Sequence, residues 1–296
     1  MAAIVLPQPG VFALGTPVQL FLELDLRGAD RDPMADARTL AELVAGIKPS
    51  QGCNVVLGIR PSLWRRMAPQ DCPPDVHDFA TPVVGDDGFR MPATQADLLV
   101  WVAAGSRDSA YDEARRALAT LGGMARLVRE TDGWNYQGNV DLTGFTDGSE
   151  NPTVAEAADV CLIADGPGAG SSVLLLQEWR HDLAAWDAAG VTIQEAAIGR
   201  TKADNVELDP KPPSAHNART DQDEAGHILR KNVPIGGVAD PGTLFVGLCA
   251  SQAVLQGMLV RMVGIGGEPR DALTRFSTPK SGSYYLLPPA TAFPGN

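Results

Sequence analysis

The nine residues GFTDGSENP (144–152) set one acid, Asp147, among glycines and turn formers. Asp-Gly and Asn-Pro both favour turns, and a turn is also a way to hold a carboxylate out from the chain. A calcium loop fails on spacing. Asp147, Ser149 and Asn151 match its first ligand positions, but Pro152 stands where glycine is required and Ala158 where the bidentate glutamate belongs. The four histidines are His77, His181, His216 and His227, and none is paired at the i+3 or i+4 spacing by which a helix presents two metal ligands. A solvated or hydrogen-bonded ring is the default for each. A lone imidazole cannot form a multidentate ion site, but it can supply the one axial nitrogen that an iron porphyrin needs.

A third candidate is HILRKNVPIGG (227–237). In a strand Arg230 and Asn232 project to one face, so a guanidinium and an amide either line one pocket or face solvent at an edge. The strand after it places Leu244, Val246 and Leu248 on one face, as ordinary core or as an apolar wall beside a flat cofactor. Cys53, Cys72, Cys161 and Cys249 are scattered without a C-x-x-C pair, which fits buried thiols better than disulfides or zinc.

The elements that must position these residues follow from periodicity. VQLFLELDL (18–26) alternates as a half-buried strand, and DARTLAELVAGI (36–47) puts Leu40, Leu43 and Ile47 on one helical face. Strands at 53–59 and 96–105, a helix with Ala114, Leu118 and Leu121 in a stripe, and the strand MARLVRETDG complete a βαββαβ series. From residue 171 the order repeats without any repeat in sequence: strand, helical material to about residue 201, two strands, the helix AVLQGMLVRMVG, and the strand GSYYLLPP. Two ferredoxin-like α+β halves are therefore expected.

The chain has 296 residues, with 24 basic and 36 acidic side chains giving a net charge of −12. That field repels phosphate backbones and anionic lipid, which excludes nucleic acid and membrane surfaces as favoured partners. No run reaches the ~18 apolar residues of a membrane span. The N-terminal MAAIVLPQPGVFALG is broken by Pro7 and Pro9 and has no basic leader, so a cytoplasmic location is expected.

Taken together, GFTDGSENP, IGRTKADN, SAHNARTD, HILRKNVPIGG and RDALTRFSTPKSGSYYLLPP resemble the dye-decolourising peroxidase family, in particular its bacterial B-type-like members, over essentially the whole chain. The resemblance implies two ferredoxin-like halves, residues 1–140 and 141–296, in a dimeric α+β barrel-like arrangement with haem b held mainly by the second. It makes His216 the axial ligand of the iron, Asp147 the distal acid/base and Arg230 the distal cation, with Asn232 in a place filled by a small polar residue. Arg200 in IGRTK is expected near the propionates, with Ile198, Thr201 and the backbone of Gly148 close by and Leu244, Val246 and Leu248 as the apolar wall. Asp271 is expected to accept the other ring proton of His216.

The function so implied is reduction of hydrogen peroxide with one-electron oxidation of dyes, phenols or porphyrinogens. Electrons from donors too bulky for the pocket would pass through Trp179, Trp186, Tyr284 or Tyr285. The alternatives are a haem carrier or store, and a porphyrin-handling, deferrochelatase-like protein. A carrier has no use for an acid and a cation converging on the open side of the iron, so Asp147 and Arg230 favour the enzyme. A homo-oligomer, a dimer or a larger even assembly, is expected. Packaging in an encapsulating shell finds little support in the short ATAFPGN end.

Overall fold

The computed structural model describes residues 6–13, 15–28, 30–46, 52–138 and 140–293, without the side chains of residues 224 and 225. The first half runs β1 (Val18–Leu26), α1 (Pro33–Ala45), β2 (Cys53–Ile59), α2 (Pro61–Met67), a small hairpin of β3 (Val83–Val84) and β4 (Arg90–Met91), β5 (Leu98–Ala104), α3 (Arg107–Leu121) and β6 (Ala125–Trp134). The second half runs α4 (Ala157–Cys161), β7 (Ser172–His181), α5 (Leu183–Ala189), α6 (Val191–Ile198), α7 (His216–Arg219), α8 (Gln222–Ala225), β8 (Leu229–Gly237), β9 (Asp240–Cys249), α9 (Gln252–Val263), β10 (Ser277–Pro279) and β11 (Ser283–Leu287).

Strand order shows the two halves to be the same unit. In the first it is β2-β5-β1-β6, and in the second β11-β7-β9-β8, all antiparallel. Both are the ferredoxin-like order, so the α+β architecture matches expectation. Pairing of β11 with β2 at Leu286↔Ile59 and of β6 with β8 at Gly133↔Ile235 joins the units into a closed eight-stranded barrel. β10 continues along the edge of β7 that β11 occupies, pairing Thr278 with Arg180.

Closure gives every strand two faces with different fates. The inward set, including Phe21, Leu99, Trp101, Leu174, Leu176, Val233 and Tyr285, forms one core, with the Phe21 and Trp101 rings stacked 5.5 Å apart. The outward set, including Leu20, Leu22, Leu24, Val55 and Val102, packs under the helices. Asp32 caps α1 by accepting from Met34 N–H, Pro33 opens the helix, and Leu40 and Leu43 are buried as expected; Ile47 lies outside the described residues. α3 lies close on the sheet through Ala110, Ala114, Ala117 and Leu121, while Leu118 is half-buried. The outer face of β7, β8 and β9 is where α6, α7 and α9 leave room for a cavity.

Candidate functional site

The GFTDGSENP turn runs beside β8. Gly148 has φ +71°, a left-handed conformation that only glycine adopts without strain, and a Cβ there would come within 2.7 Å of Asn151 Nδ2. The turn sends Asp147 onto β8, where Oδ2 accepts from Asn232 N–H at 3.0 Å and Oδ1 from Asn232 Nδ2 at 2.8 Å. Two donors from one residue fix the plane of the carboxylate. Arg230, on the same face of β8, has its Nε buried without a partner.

His216 begins α7, which forms another wall of the cavity. Its Nδ1 lies 2.6 Å from Oδ2 of Asp271, which is fully buried, while Asp271 Oδ1 accepts from Leu273 N–H at 2.9 Å. A buried carboxylate in this position accepts the Nδ1 proton, so Nε2 is the nitrogen left to act as a ligand.

Both walls face one cavity of about 1240 Å³, its open mouth included, lined by Asp147, Arg230, Asn232 and His216 together with Leu255, Met258, Leu259 and Met262 of α9 and Phe245 of β9. Four cavity-lining side chains carry a buried polar atom without a partner: Arg230 Nε, Gln177 Nε2, Gln222 Nε2 and Asn217 Oδ1. Buried polar groups are ordinarily paired, so this clustering marks a space shaped for a ligand with polar groups on an apolar body.

Six of the sequence-predicted residues line the cavity: Asp147, His216, Ile198, Arg200, Arg230 and Asn232. Asp271 lies behind His216. The Arg200 fork is engaged, with Nη2 2.6 Å from Glu150 Oε1 and Nη1 donating to the Asn205 carbonyl at 3.1 Å. Gly148 shapes the turn and lines a neighbouring recess, and Thr201 closes its own loop by accepting from Val206 N–H at 2.9 Å. Leu244, Val246 and Leu248 correct the expectation. They point into the barrel core, and β9 offers the cavity Thr243 and Phe245 instead. The period of two is right and its phase is inverted, because β9 is covered on both faces, by the barrel core on one and by the cavity wall on the other. Trp179 lines the cavity, whereas Trp186, Tyr284 and Tyr285 are buried and do not.

Other lining residues were not among the site residues expected from the sequence, although His181 is the hydrogen-bonded ring that was its default reading. Asp141 Oδ1 accepts from Thr143 N–H at 2.9 Å, Thr143 Oγ1 at 2.6 Å and Phe145 N–H at 3.3 Å. Burial pushes its pKa up, the Thr143 hydrogen bond opposes the rise, and the nearby charge of Asp147 adds to it. His181 sits between Ser277 Oγ and Thr243 Oγ1, each at 2.8 Å, and burial, helped by Arg180, lowers its pKa to about 4, so it is neutral at pH 7. No group of three or more potential metal-binding side chains occurs among the described residues, and no helix there is long and apolar enough to cross a membrane.

Two family models match nearly the whole chain: "Dyp-type peroxidase, N-terminal" over residues 8–135 and "Dyp-type peroxidase, C-terminal" over residues 138–292. A dye-decolorizing peroxidase of Rhodococcus erythropolis is 34% identical over 98% of this chain and 89% of its own. Among solved structures, a putative dyp-type peroxidase from Shewanella oneidensis superposes with a TM-score of 0.89 at 27% identity, covering 97% of both chains. A DypB variant from Rhodococcus jostii RHA1 in complex with heme gives a TM-score of 0.84 at 31% identity, covering 99% of this chain and 97% of that one.

Proposed function

The chain belongs to the Dyp-type (dye-decolourising) peroxidase family and is a haem b peroxidase, and from that premise we propose that His216 would hold the iron while Asp147 and Arg230 act on peroxide. The residues present fit the cofactor. The cavity has apolar walls from α9 and Phe245, an imidazole whose Nε2 is left to act as a ligand, an unpartnered guanidinium Nε, and further orphaned polar atoms.

When bound, the haem supplies the iron at which the O–O bond of peroxide is broken and through which donors are oxidised one electron at a time. Asp271 holds the His216 ring in one tautomer and, by accepting from Nδ1, makes Nε2 a stronger donor. Asp147 takes the proton from one peroxide oxygen and returns it to the oxygen that leaves as water; Asn232 keeps its carboxylate in place. Arg230 places a fixed cation where negative charge develops, with no reorganisation needed at the moment of reaction. Phenols, dyes and porphyrinogens are the donor classes.

The observation that carries this reading is that His216, held from behind by Asp271, lines the same cavity as Asp147 and Arg230, which reach it from other segments of the chain. Absorption spectroscopy tests it. Haem added to the purified protein is expected to give a Soret band that changes on peroxide addition, and His216→Ala is expected to alter the ligand-field bands. A His216→Ala spectrum identical to wild type would overturn the assignment of the axial ligand.

A further inference from the structure

Asn151 lies four residues beyond Asp147 in the same turn, and its own N–H donates to the Gly148 carbonyl at 3.0 Å. Its side-chain amide meets both backbone groups of Arg230: Nδ2 donates to the carbonyl at 2.8 Å, and Oδ1 accepts from the N–H at 2.9 Å. β8 pairs with β9 along its full length, yet on its other edge meets β6 only at Gly133↔Ile235. Over Arg230 and Asn232 side chains of the turn fill that open edge, Asn151 bonding Arg230 and Asp147 bonding Asn232. Buried backbone groups need partners, and here the turn serves as a short surrogate strand.

We propose that Asn151 is the positioning residue of the Asp147–Arg230 pair: by pairing with the backbone of Arg230 it sets the register of the turn on β8, and with it the placement of acid and cation against each other. This rests on the function proposed above. Asp147, Arg230 and Asn232 line both the main cavity and a second recess, so the hydrogen bonds that place them shape both spaces. The same two-bond contact occurs elsewhere in the molecule, from Gln8 to Leu57, Gln95 to Tyr284 and Gln252 to His77. None of these recipients carries a side chain into the cavity, and Arg230 does. A structural role is therefore the competing explanation.

The test uses haem-loaded wild type, N151A, N151D, R230L and N151A/R230L, with three readouts: the stopped-flow rate constant for hydrogen peroxide, the Kd of fluoride on the resting ferric protein by absorbance, and Tm. Fluoride reports on the distal donors without turnover, because a bound anion takes a charge-assisted hydrogen bond from a guanidinium. N151A is expected to lower the peroxide rate constant about a hundredfold, the scale of a 1 Å misplacement. It is also expected to raise the fluoride Kd about tenfold, as a lost charge-assisted bond does. N151D, which keeps an acceptor for the Arg230 N–H, falls between. In the R230L background N151A is expected to change the fluoride Kd by less than about twofold and to lower the peroxide rate constant by no more than about tenfold, the part that displacement of the acid accounts for, because coupled residues are not additive.

Equal fold-losses from N151A with and without the Arg230 guanidinium would overturn the proposal, as would wild-type fluoride affinity and peroxide rate in N151A. If N151A does not load haem, N151D and N151D/R230L carry the same comparison. A wild-type protein that loads haem but does not react with peroxide would overturn the functional reading and this proposal with it, a failure visible before any variant is made.

Discussion

Asp147 and Arg230 are unequal in what the structure leaves them free to do. Both oxygens of Asp147 already accept from Asn232, whereas Arg230 Nε has no partner and lines the cavity. The other arginine of the lining, Arg200, is ion-paired with Glu150, so among the described residues no second guanidinium of the lining stands ready to take over the charge-stabilising role. The acid has a neighbour: Asp141 lies on the same wall, within electrostatic reach of Asp147, its pKa pushed up by burial. A carboxyl that holds its proton more firmly is the kind of group that can stand in when a proton shuttle is removed. Arg230→Ala is therefore expected to slow the reaction with hydrogen peroxide about 10³-fold, the upper range for loss of one preorganised donor. Asp147→Ala is expected to slow it about tenfold, below the usual ~10²-fold loss of an acid/base residue. Stopped-flow rate constants in the reverse order would refute this division of labour.

At the scale of elements, the approach of α7 to the end of α6 decides where His216 stands. Gly199 ends α6 with φ +92°, and a Cβ there would lie 1.8 Å from Asn217 Oδ1, the residue after His216; Asn217 Nδ2 donates to the Gly199 carbonyl at 3.2 Å. Gly199→Ala adds backbone strain of about 1–3 kcal/mol and pushes α7 away. It is expected to lower Tm and to weaken haem binding about tenfold, measured by titration at the Soret band; unchanged haem affinity would show that α7 is held by other contacts. The IGRTK stretch was legible as part of the site, but the reason for its glycine was not. The order of strands and helices was also legible, since apolar alternation in each half is strong. The face of β9 was not: Leu244, Val246 and Leu248 and the alternate Phe245 are all apolar, and only closure of the barrel decides which set meets the cavity. Asp271 lies 55 residues from His216, and Asn151 lies 79 from Arg230. No local pattern spans such separations, so the first was reached only by family likeness and the second not at all.

For the molecule as a whole, the weak points of the barrel are its two seams. β11 meets β2 at Leu286↔Ile59 and β6 meets β8 at Gly133↔Ile235, against seven or more paired residues in contacts such as β1–β5 and β8–β9. Side-chain amides supplement both seams. Asn151 serves the β8 edge, and at the first seam Gln8, only 1% exposed, donates from Nε2 to the carbonyls of Leu57 in one half and Pro288 in the other while Oε1 accepts from Leu57 N–H. Those three bonds join β2 to the chain leaving β11. Gln8→Ala removes them and leaves buried backbone groups unpaired, at a cost of about 3 kcal/mol when each bond contributes about 1 kcal/mol. Neither Leu57 nor Pro288 lines the cavity. The denaturation midpoint of the haem-free protein is therefore expected to fall substantially, while the peroxide rate constant of the loaded protein stays within about twofold of wild type, as for independent distant sites. A Gln8→Ala protein as stable as wild type would mean that the cores on either side of the sheet hold the seam closed without the amide. A loss of peroxide reactivity as large as that of Arg230→Ala would mean instead that closure at this seam is transmitted to the cavity, and that the two halves do not hold the site independently.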